Sequence, residues 1–197
     1  MKLIIVCLAI ISCCNACNKT TTGMPTIVVD NSPKFVTYKI GKGQNYPNND
    51  STTLIITNYT EQKFIAKFDS SAIYTNALAS NQADINKLYG FADNNMFHQV
   101  YSARFGWNWL NGGLHLWAYD YNNGVRDFKD LGTVAIGKEI NCSIKVLPNN
   151  YVFSVDGKET MMLRTSPTPT GVGYKLFPYF GGDETAPHEV VILVKEL

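Results

Sequence analysis

The chain has few charged residues, and residues of one sign are not clustered. Charged residues make up 17% of its 197 residues, and 17 basic against 16 acidic side chains give a formal net charge of +1. Nucleic-acid binding depends on a clustered basic patch, and no basic run is present. We therefore expect no nucleic acid partner, and the 45% hydrophobic content predicts a globular protein.

Long apolar runs are also missing, since the run at Leu3–Ile11 is too short to cross a bilayer, which takes about 20 residues. A lysine precedes this run, and small residues and cysteines follow it. The pattern predicts a secretory signal.

The cysteines of this segment resemble a bacterial lipoprotein signal, in which a small residue precedes a cysteine that becomes lipidated. Ala16 precedes Cys17, and Ser12 precedes Cys13, so both cysteines fit. We favour Cys17 because "ACNK" and the following Thr-rich stretch are similar to lipoproteins of Gram-negative Bacteroidota. Cys14 departs from that pattern, because an aliphatic residue is usual there.

The resemblance implies that residues 1–16 are a removed signal peptide and residues 17–25 a tether, leaving 26–197 as the folded domain. It further implies export across the inner membrane and a lipid anchor in the outer membrane, and it does not specify which leaflet of that membrane holds the anchor. Cleavage before Cys17 by ordinary signal peptidase is the alternative.

Only one cysteine, Cys142, belongs to residues 26–197, so no disulfide framework is expected there. Cys142 alternates with Ile140, Ile144 and Val146. This alternation predicts a buried small hydrophobic residue rather than a catalytic thiol.

Short apolar stretches between Gly, Pro, Asn and Asp residues indicate roughly ten strands, which predicts an all-β antiparallel sandwich. Asn-Gly and Asp-Gly pairs beginning at Asn111, Asn123 and Asp156 predict hairpin turns. One short flanking helix is predicted over residues 81–90, where apolar side chains follow helical spacing after a capping asparagine.

The predicted hairpin over 104–121 contains every tryptophan of the chain. A two-residue turn gives one apolar face with Phe105, Trp107 and Trp109, which we expect in the core. The opposite face mixes aromatic and polar side chains.

Such a mixture suits a sugar ring, whose C–H face stacks on an aromatic ring while its hydroxyls bind polar groups. Gly106 opposite Trp117 leaves room for a ligand, although plain cross-strand packing explains the pair equally well. The predicted ligand is a polysaccharide or oligosaccharide, and its predicted contacts are Arg104, Asn108, His115, Trp117 and Tyr119.

Two segments carry a family resemblance. The unit "SVDGKE" between strands, and the closing "YFGGDETAPHEVVILVKEL", resemble the concanavalin A-like lectin/glucanase superfamily, which includes laminin G-like domains. The resemblance implies a jelly-roll sandwich. It leaves open sugar-binding modules, glycoside hydrolases and polysaccharide lyases.

The enzyme classes of that superfamily differ in the residues they use. Laminarinase-like hydrolases carry a Glu-x-Asp-x-(x)-Glu cluster, and this sequence has none. Alginate-lyase-like enzymes use Arg, His, Gln or Asn, and Tyr, and a lyase-like set here would be His98, Arg104 and His115. "FPYFGGD" matches the lyase strand only at Tyr179 and Phe180.

A metal site is only weakly indicated. Asp183 and Glu184 lie in one loop with other donors, and many relatives bind Ca²⁺ near the sandwich edge, but the Asp-x-Asp spacing is missing. We expect no cofactor, with Ca²⁺ as the alternative.

The preferred function is non-catalytic carbohydrate binding. A lyase or hydrolase, and a structural or protein-binding envelope component, are the alternatives.

Overall fold

The computed structural model describes residues 32–48 and 54–197, which form two antiparallel six-stranded sheets. The predicted signal peptide and tether, both candidate lipidation sites and the first residues of the predicted domain lie outside these ranges. The described residues from Pro33 onward form one compact unit. The strands are β1 (Val36–Ile40), β2 (Ile56–Tyr59), β3 (Glu61–Phe68), β4 (Asn86–Ala92), β5 (Tyr101–Leu110), β6 (Gly113–Asn122), β7 (Val125–Val134), β8 (Glu139–Val146), β9 (Asn150–Val155), β10 (Lys158–Leu163), β11 (Gly171–Leu176) and β12 (Val190–Glu196).

The back sheet has the strand order β1-β12-β3-β8-β9-β10, and the front sheet has the order β2-β11-β4-β5-β6-β7. This arrangement confirms the predicted jelly-roll sandwich. No helix in the described ranges is long and apolar enough to span a membrane.

Three tight turns hold the hairpins in register. At Asn111-Gly112, Asn123-Gly124 and Asp156-Gly157, both turn residues have positive φ, between 47° and 86°. Two successive left-handed residues define the type I′ turn, whose twist matches that of the strands it joins. The three predicted hairpin turns are therefore confirmed.

The core lies between the two sheets and is rich in aromatic rings. Phe105 of the front sheet contacts Phe64 and Phe153 of the back sheet, with ring centroids 5.5 and 5.2 Å apart. Trp107 is fully buried, which confirms its assignment to the core, and Trp109 is partly buried against it. Cys142 is buried and free, as predicted.

One buried ion pair joins the ends of several strands. Arg164 Nε donates to Asp93 Oδ2 at 2.9 Å, and both side chains are inaccessible to solvent. The Tyr151 hydroxyl donates to the same carboxylate oxygen at 2.6 Å. Because the buried charges compensate each other and are hydrogen-bonded, the usual penalty for burying them is offset.

The helix predicted over 81–90 is wrong. The chain makes a single 3₁₀ turn at Ala79–Asn81 and then enters β4. A β-bulge between Lys87 and Tyr89 places Leu88 and Tyr89 both inside the sandwich. The bulge interrupts the two-residue alternation of the strand, so its apolar residues reproduce helical spacing in the sequence.

Asp120 is a buried acid on the inner side of β6. It has no solvent exposure, and neither carboxylate oxygen has a hydrogen-bond partner. Burial, followed by repulsion from Asp127 across the β6–β7 pair, raises the pKa of Asp120 from 3.8 to about 7. The carboxyl group is therefore protonated in the folded protein at mildly acidic pH.

We predict that Asp120→Asn removes a pH dependence of stability. Because the folded protein holds this proton more tightly than the unfolded chain, the wild type loses stability as pH rises from about 4 to 7. At pH 8 the variant should be more stable by about 1–3 kcal/mol, with the difference shrinking toward pH 3. Urea unfolding across this range measures it. Parallel pH profiles for the two proteins would contradict the prediction, and Asp127→Asn should give a smaller effect.

Candidate functional site: a cationic groove

A groove of about 610 Å³ crosses the face of the front sheet that points away from the core. Five strands, from β11 to β7, contribute side chains to it, together with the loops before β5 and after β11. We refer to this cavity as the groove. Its polar and aromatic lining residues are Tyr46, Lys87, Phe97, His98, Gln99, Arg104, Tyr119, Tyr121, Arg126, Tyr174, Lys175, Phe177 and Tyr179.

Arg104 and Tyr119 are cross-strand partners on the floor of the groove. The guanidinium carbon lies 5.5 Å from the centre of the Tyr119 ring, and Lys87 Nζ lies 5.0 Å from the same centre. One aromatic ring therefore contacts two cations, a favourable but modest interaction. Neither cation makes an ion pair with a carboxylate in the described ranges.

Arg104 is nine-tenths buried, with a relative exposure of 8%, and its Nε has no hydrogen-bond partner. Burial lowers the pKa of Arg104 to about 10, so the group still carries its charge at neutral pH. The fully buried Arg164, by contrast, has Asp93 as a partner. Burying a cation without a counter-charge lowers the stability of the folded protein. An anionic ligand would supply the missing counter-charge of Arg104.

The described residues that line the groove include no aspartate or glutamate. Three cations, Lys87, Arg104 and Arg126, line it without a carboxylate partner, whereas Lys175 pairs with Glu196 at 2.7 Å. The groove is therefore strongly positive although the whole chain is close to neutral. Its potential favours a polyanion.

Lys87 is fixed in place by backbone oxygens. Its ammonium group donates to the carbonyls of Ile85 at 2.7 Å and of Gly181 at 3.1 Å. Burial, and then repulsion from Arg104 and Arg126, lowers the pKa of Lys87 to about 8. The two carbonyl acceptors favour the charged form, so Lys87 is a fixed cation at neutral pH.

His98 lies at one side of the groove, held by contacts on both its backbone and its ring. Its Nδ1 is 3.0 Å from the Tyr174 hydroxyl, and Ser102 Oγ donates to its carbonyl at 2.7 Å. Burial, and then the charge of Arg104, lowers the pKa of His98 below its usual 6.5. His98 is therefore neutral at pH 7 and able to accept a proton.

Tyr119 is a weak acid that keeps its proton. Burial, and then its neighbour Tyr121, raises the pKa of Tyr119 to about 12. The two rings lie 5.9 Å apart. Tyr121 is in turn the cross-strand partner of Arg126 on β7. A protonated phenol beside cations can donate its proton to an oxygen that gains negative charge.

Gly90 makes room for the floor of the groove. A β-carbon at this position would lie 2.3 Å from the β-carbon of Arg104 and 2.3 Å from the Ala103 carbonyl oxygen. A glycine inside a central strand marks such a close approach. Arg104 can therefore lie flat between β4 and β6 only because residue 90 has no side chain.

The structure separates the predicted contact residues into two groups. Arg104 and Tyr119 line the groove, and so does His98 from the lyase alternative. Asn108, His115 and Trp117 do not. His115 Nδ1 lies 3.0 Å from Asp130 Oδ2, one step further along the hairpin.

Asn108 supports Trp117 rather than facing a cavity. Its side chain is fully buried, donates to the Ala83 carbonyl at 3.1 Å and accepts from Trp117 Nε1 at 2.9 Å. The predicted free space above Gly106 is filled, since a β-carbon there would meet Ile85 Cγ2 at 2.3 Å. That part of the prediction is wrong, because the residues leading into β4 cover this stretch of β5.

The predicted contacts left out most of the groove residues, among them Lys87, Tyr121, Arg126, Tyr174 and Tyr179. One signal was available. The Asn123-Gly124 turn pairs Tyr121 with Arg126, on the same face as Arg104 and Tyr119. Lys87 was hidden by the mistaken helix, and Tyr174 and Tyr179 reach the groove only through tertiary packing.

Of the two weak metal candidates, Glu184 has its carboxylate engaged in other contacts. Glu184 accepts hydrogen bonds from the amides of Ala77 and Leu78, at 2.8 and 2.9 Å, and from the Asn81 side chain. The Asp183 amide donates to Asp84. Within the described ranges, no three His, Cys, Asp or Glu side chains are grouped to hold a metal ion.

No protein-family model matches the chain, and no curated protein matches its sequence. Solved structures match its fold. Alginate lyase AlyC3 is 12% identical, with a TM-score of 0.50 over 81% of this chain and 72% of the lyase.

Two glucanase structures match equally well. The catalytic domain of an endo-1,3-β-glucanase (laminarinase) from Thermotoga petrophila is 10% identical, with a TM-score of 0.50 over 85% of this chain and 80% of that one. The GH16 protein of the Bacteroides ovatus mixed linkage glucan PUL is 12% identical, with a TM-score of 0.50 over 86% and 84%. The protein therefore has the concanavalin A-like jelly-roll fold of such glucanases and lyases.

We predict that Arg104→Met separates stability from ligand binding. Removing an uncompensated buried cation should raise the free energy of unfolding by about 1–3 kcal/mol, because the desolvation cost disappears. The same variant should lose binding of uronate oligosaccharides in calorimetry. Arg164→Met is the matched control and should destabilise the fold, since it leaves Asp93 buried and unpaired. Destabilisation by both variants would show that Arg104 is a structural residue.

Proposed function

We propose that the protein is a polysaccharide lyase that cleaves uronate-containing polysaccharides in the groove. The observation that carries the proposal is the buried Arg104 side chain, whose Nε has no hydrogen-bond partner, on the floor of a groove whose described lining has no carboxylate. A uronate carboxylate is the sugar substituent that such a site binds best.

A lyase breaks the C4–O4 bond of a 4-linked uronate by β-elimination. A base removes the proton at C5, a C4=C5 double bond forms, and a proton passes to the leaving O4 oxygen. Removing the C5 proton is difficult unless the neighbouring carboxylate is neutralised, because negative charge builds up on it. The reaction thus needs a cation, a base and an acid, and no water is consumed.

The groove supplies a candidate for each role. Arg104 neutralises the uronate carboxylate. His98, whose lowered pKa leaves it neutral at pH 7, takes the C5 proton. Tyr119, whose pKa is raised to about 12, donates to the leaving oxygen. Lys87 and Arg126 add positive charge beside that carboxylate.

Two other functions of this fold fit the groove less well. A retaining hydrolase needs two carboxylates about 5 Å apart, and the described groove lining has none. Non-catalytic binding, which the sequence favoured, accounts for the cations and would use His98 and Tyr119 only as hydrogen-bonding groups for sugar hydroxyls. Binding without turnover in the following test would favour this non-catalytic function.

The test is incubation with a panel of polyuronates and mixed acidic polysaccharides. A lyase product carries a C4=C5 double bond conjugated with its carboxylate, which absorbs in the near ultraviolet. Arg104→Gln and Tyr119→Phe should each lower kcat/KM by about 10²-fold or more. Retention of a polyuronate without this absorbance would leave a binding module, and no retention of any acidic polysaccharide by folded protein would overturn the proposal.

The pH profile tests the assignment of the base. Since His98 must be neutral to accept a proton and its pKa lies below 6.5, kcat/KM should rise with pH, with the midpoint of the rise below 6.5. His98→Asn should lower activity and abolish this acidic limb. If the acidic limb of the pH profile is unchanged in His98→Asn, another residue is the base, and the lyase proposal itself is unaffected.

We also propose that the protein is lipid-anchored through Cys17 in the bacterial outer membrane, with Cys13 as the alternative site. The support is the N-terminal sequence pattern alone. The wild type should partition into detergent and incorporate labelled palmitate, whereas Cys17→Ala should be soluble and unlabelled. Continued labelling of Cys17→Ala would point to Cys13, and no labelling of the wild type would indicate ordinary secretion.

A further inference from the structure

A second cavity of about 270 Å³ adjoins the groove on the same face of the front sheet. The two cavities share Lys87, Tyr119, Arg126 and Gly182 in their walls. We refer to the second one as the side cavity. The residues that line it but not the groove are Ala83, Asp84, Ile85, Leu110, Trp117 and Phe128.

The chemistry of the side cavity differs from that of the groove. Ile85, Leu110, Trp117 and Phe128 make most of its wall apolar. Trp117 and Phe128 meet at 76° with their ring centroids 5.9 Å apart, which leaves an aromatic corner. The bond from Trp117 Nε1 to Asn108 fixes the indole ring, and Phe128 is 44% exposed. A rigid, partly exposed aromatic corner suits the C–H face of a sugar ring.

Asp84 is the one carboxylate among the described residues that line either cavity. Its Oδ2 accepts from the Asp183 amide at 3.2 Å. A carboxylate accepts hydrogen bonds from sugar hydroxyls and repels a second carboxylate. Both cations in its wall, Lys87 and Arg126, are shared with the groove, and among the described residues Asp84 is the one charged side chain that lines the side cavity alone. The side cavity therefore favours a sugar that carries no negative charge.

Resting on the proposed function, we propose that the side cavity is the subsite for a neutral sugar next to the uronate in the groove. The substrate class that follows is a polysaccharide in which uronate and neutral sugars alternate, rather than a homopolymer of uronate. A homopolymer would place a carboxylate beside Asp84 and against the apolar wall. Trp117 binds the neutral ring, and Asp84 sets the specificity.

The experiment compares kcat/KM on two groups of polymers. The alternating group contains hyaluronan and unsulfated chondroitin, and the uniform group contains polymannuronate, polyguluronate and polyglucuronate. We expect the best alternating polymer to exceed the best uniform one by 10-fold or more. Equal or higher activity on a uniform polymer would overturn the inference and leave the proposed function standing.

Two variants test the residues, and each has a distinct signature. Trp117→Ala should lower kcat/KM on the alternating polymer 10-fold or more and change that on uniform polymers less than 2-fold. Asp84→Asn should raise activity on uniform polymers 3-fold or more, because the repulsion is removed. Met161→Ala, at an exposed position of β10 on the back sheet, is the control.

The outcomes separate the two proposals. If neither group of polymers is bound or cleaved, the proposed function fails and the inference fails with it. If turnover occurs but Trp117→Ala lowers activity on both groups equally, the side cavity only supports the fold of the groove. Melting curves show whether Trp117→Ala is folded. If it is not, Asp84→Asn, a substitution of similar size at a half-buried position, still tests the side cavity.

Discussion

The register of the β5–β6 hairpin is the constraint on which the core and the groove both depend. The left-handed turn at Asn111-Gly112 pairs Arg104 with Tyr119 and places Phe105 on the opposite face. A shift of one residue would move Arg104 into the core and Phe105 to the surface. The same turn therefore assembles an apolar interior and a cationic exterior from alternate residues of one hairpin.

The two arginines with the deepest burial illustrate how the fold treats charge. Arg164 is compensated by Asp93 and further hydrogen bonds, so its burial stabilises a junction between strands. Arg104 has four tyrosine side chains and Lys87 nearby, and it makes no ion pair with a carboxylate of the described residues. A protein that keeps an uncompensated cation in a groove sacrifices stability at that position, which is common where a ligand supplies the missing charge.

The fold and a small part of the candidate site could be predicted from the sequence because they follow from alternation and turn chemistry. Asn-Gly and Asp-Gly pairs located the hairpins. The alternation of side chains along the strands assigned Trp107 to the core and Arg104 to the outer face. Alternation does not show where a cavity ends along a face of the sheet. The buried Asn108, and Trp117 of the side cavity, were therefore grouped with residues of the groove. Lys87 escaped because a bulge in β4 reproduces helical spacing, and Tyr179 because a loop carries it to the groove.

The charge distribution was equally hidden in the sequence. A net charge of +1 and the absence of a basic run gave no sign of a cationic groove. Its cations come from separate strands, β4, β5 and β7, and only sheet formation brings them together. The net composition of a chain therefore does not reveal a compact anion site.

The most direct measurement of the central claim is the nuclear magnetic resonance signal of the Arg104 Nε–H group during titration with oligosaccharides. This group has no hydrogen-bond partner in the free protein. A uronate oligosaccharide should shift the signal and slow its exchange with water, and a neutral glucan of equal length should leave it unchanged. An Arg104 signal that stays in place while other groove signals shift would contradict the account.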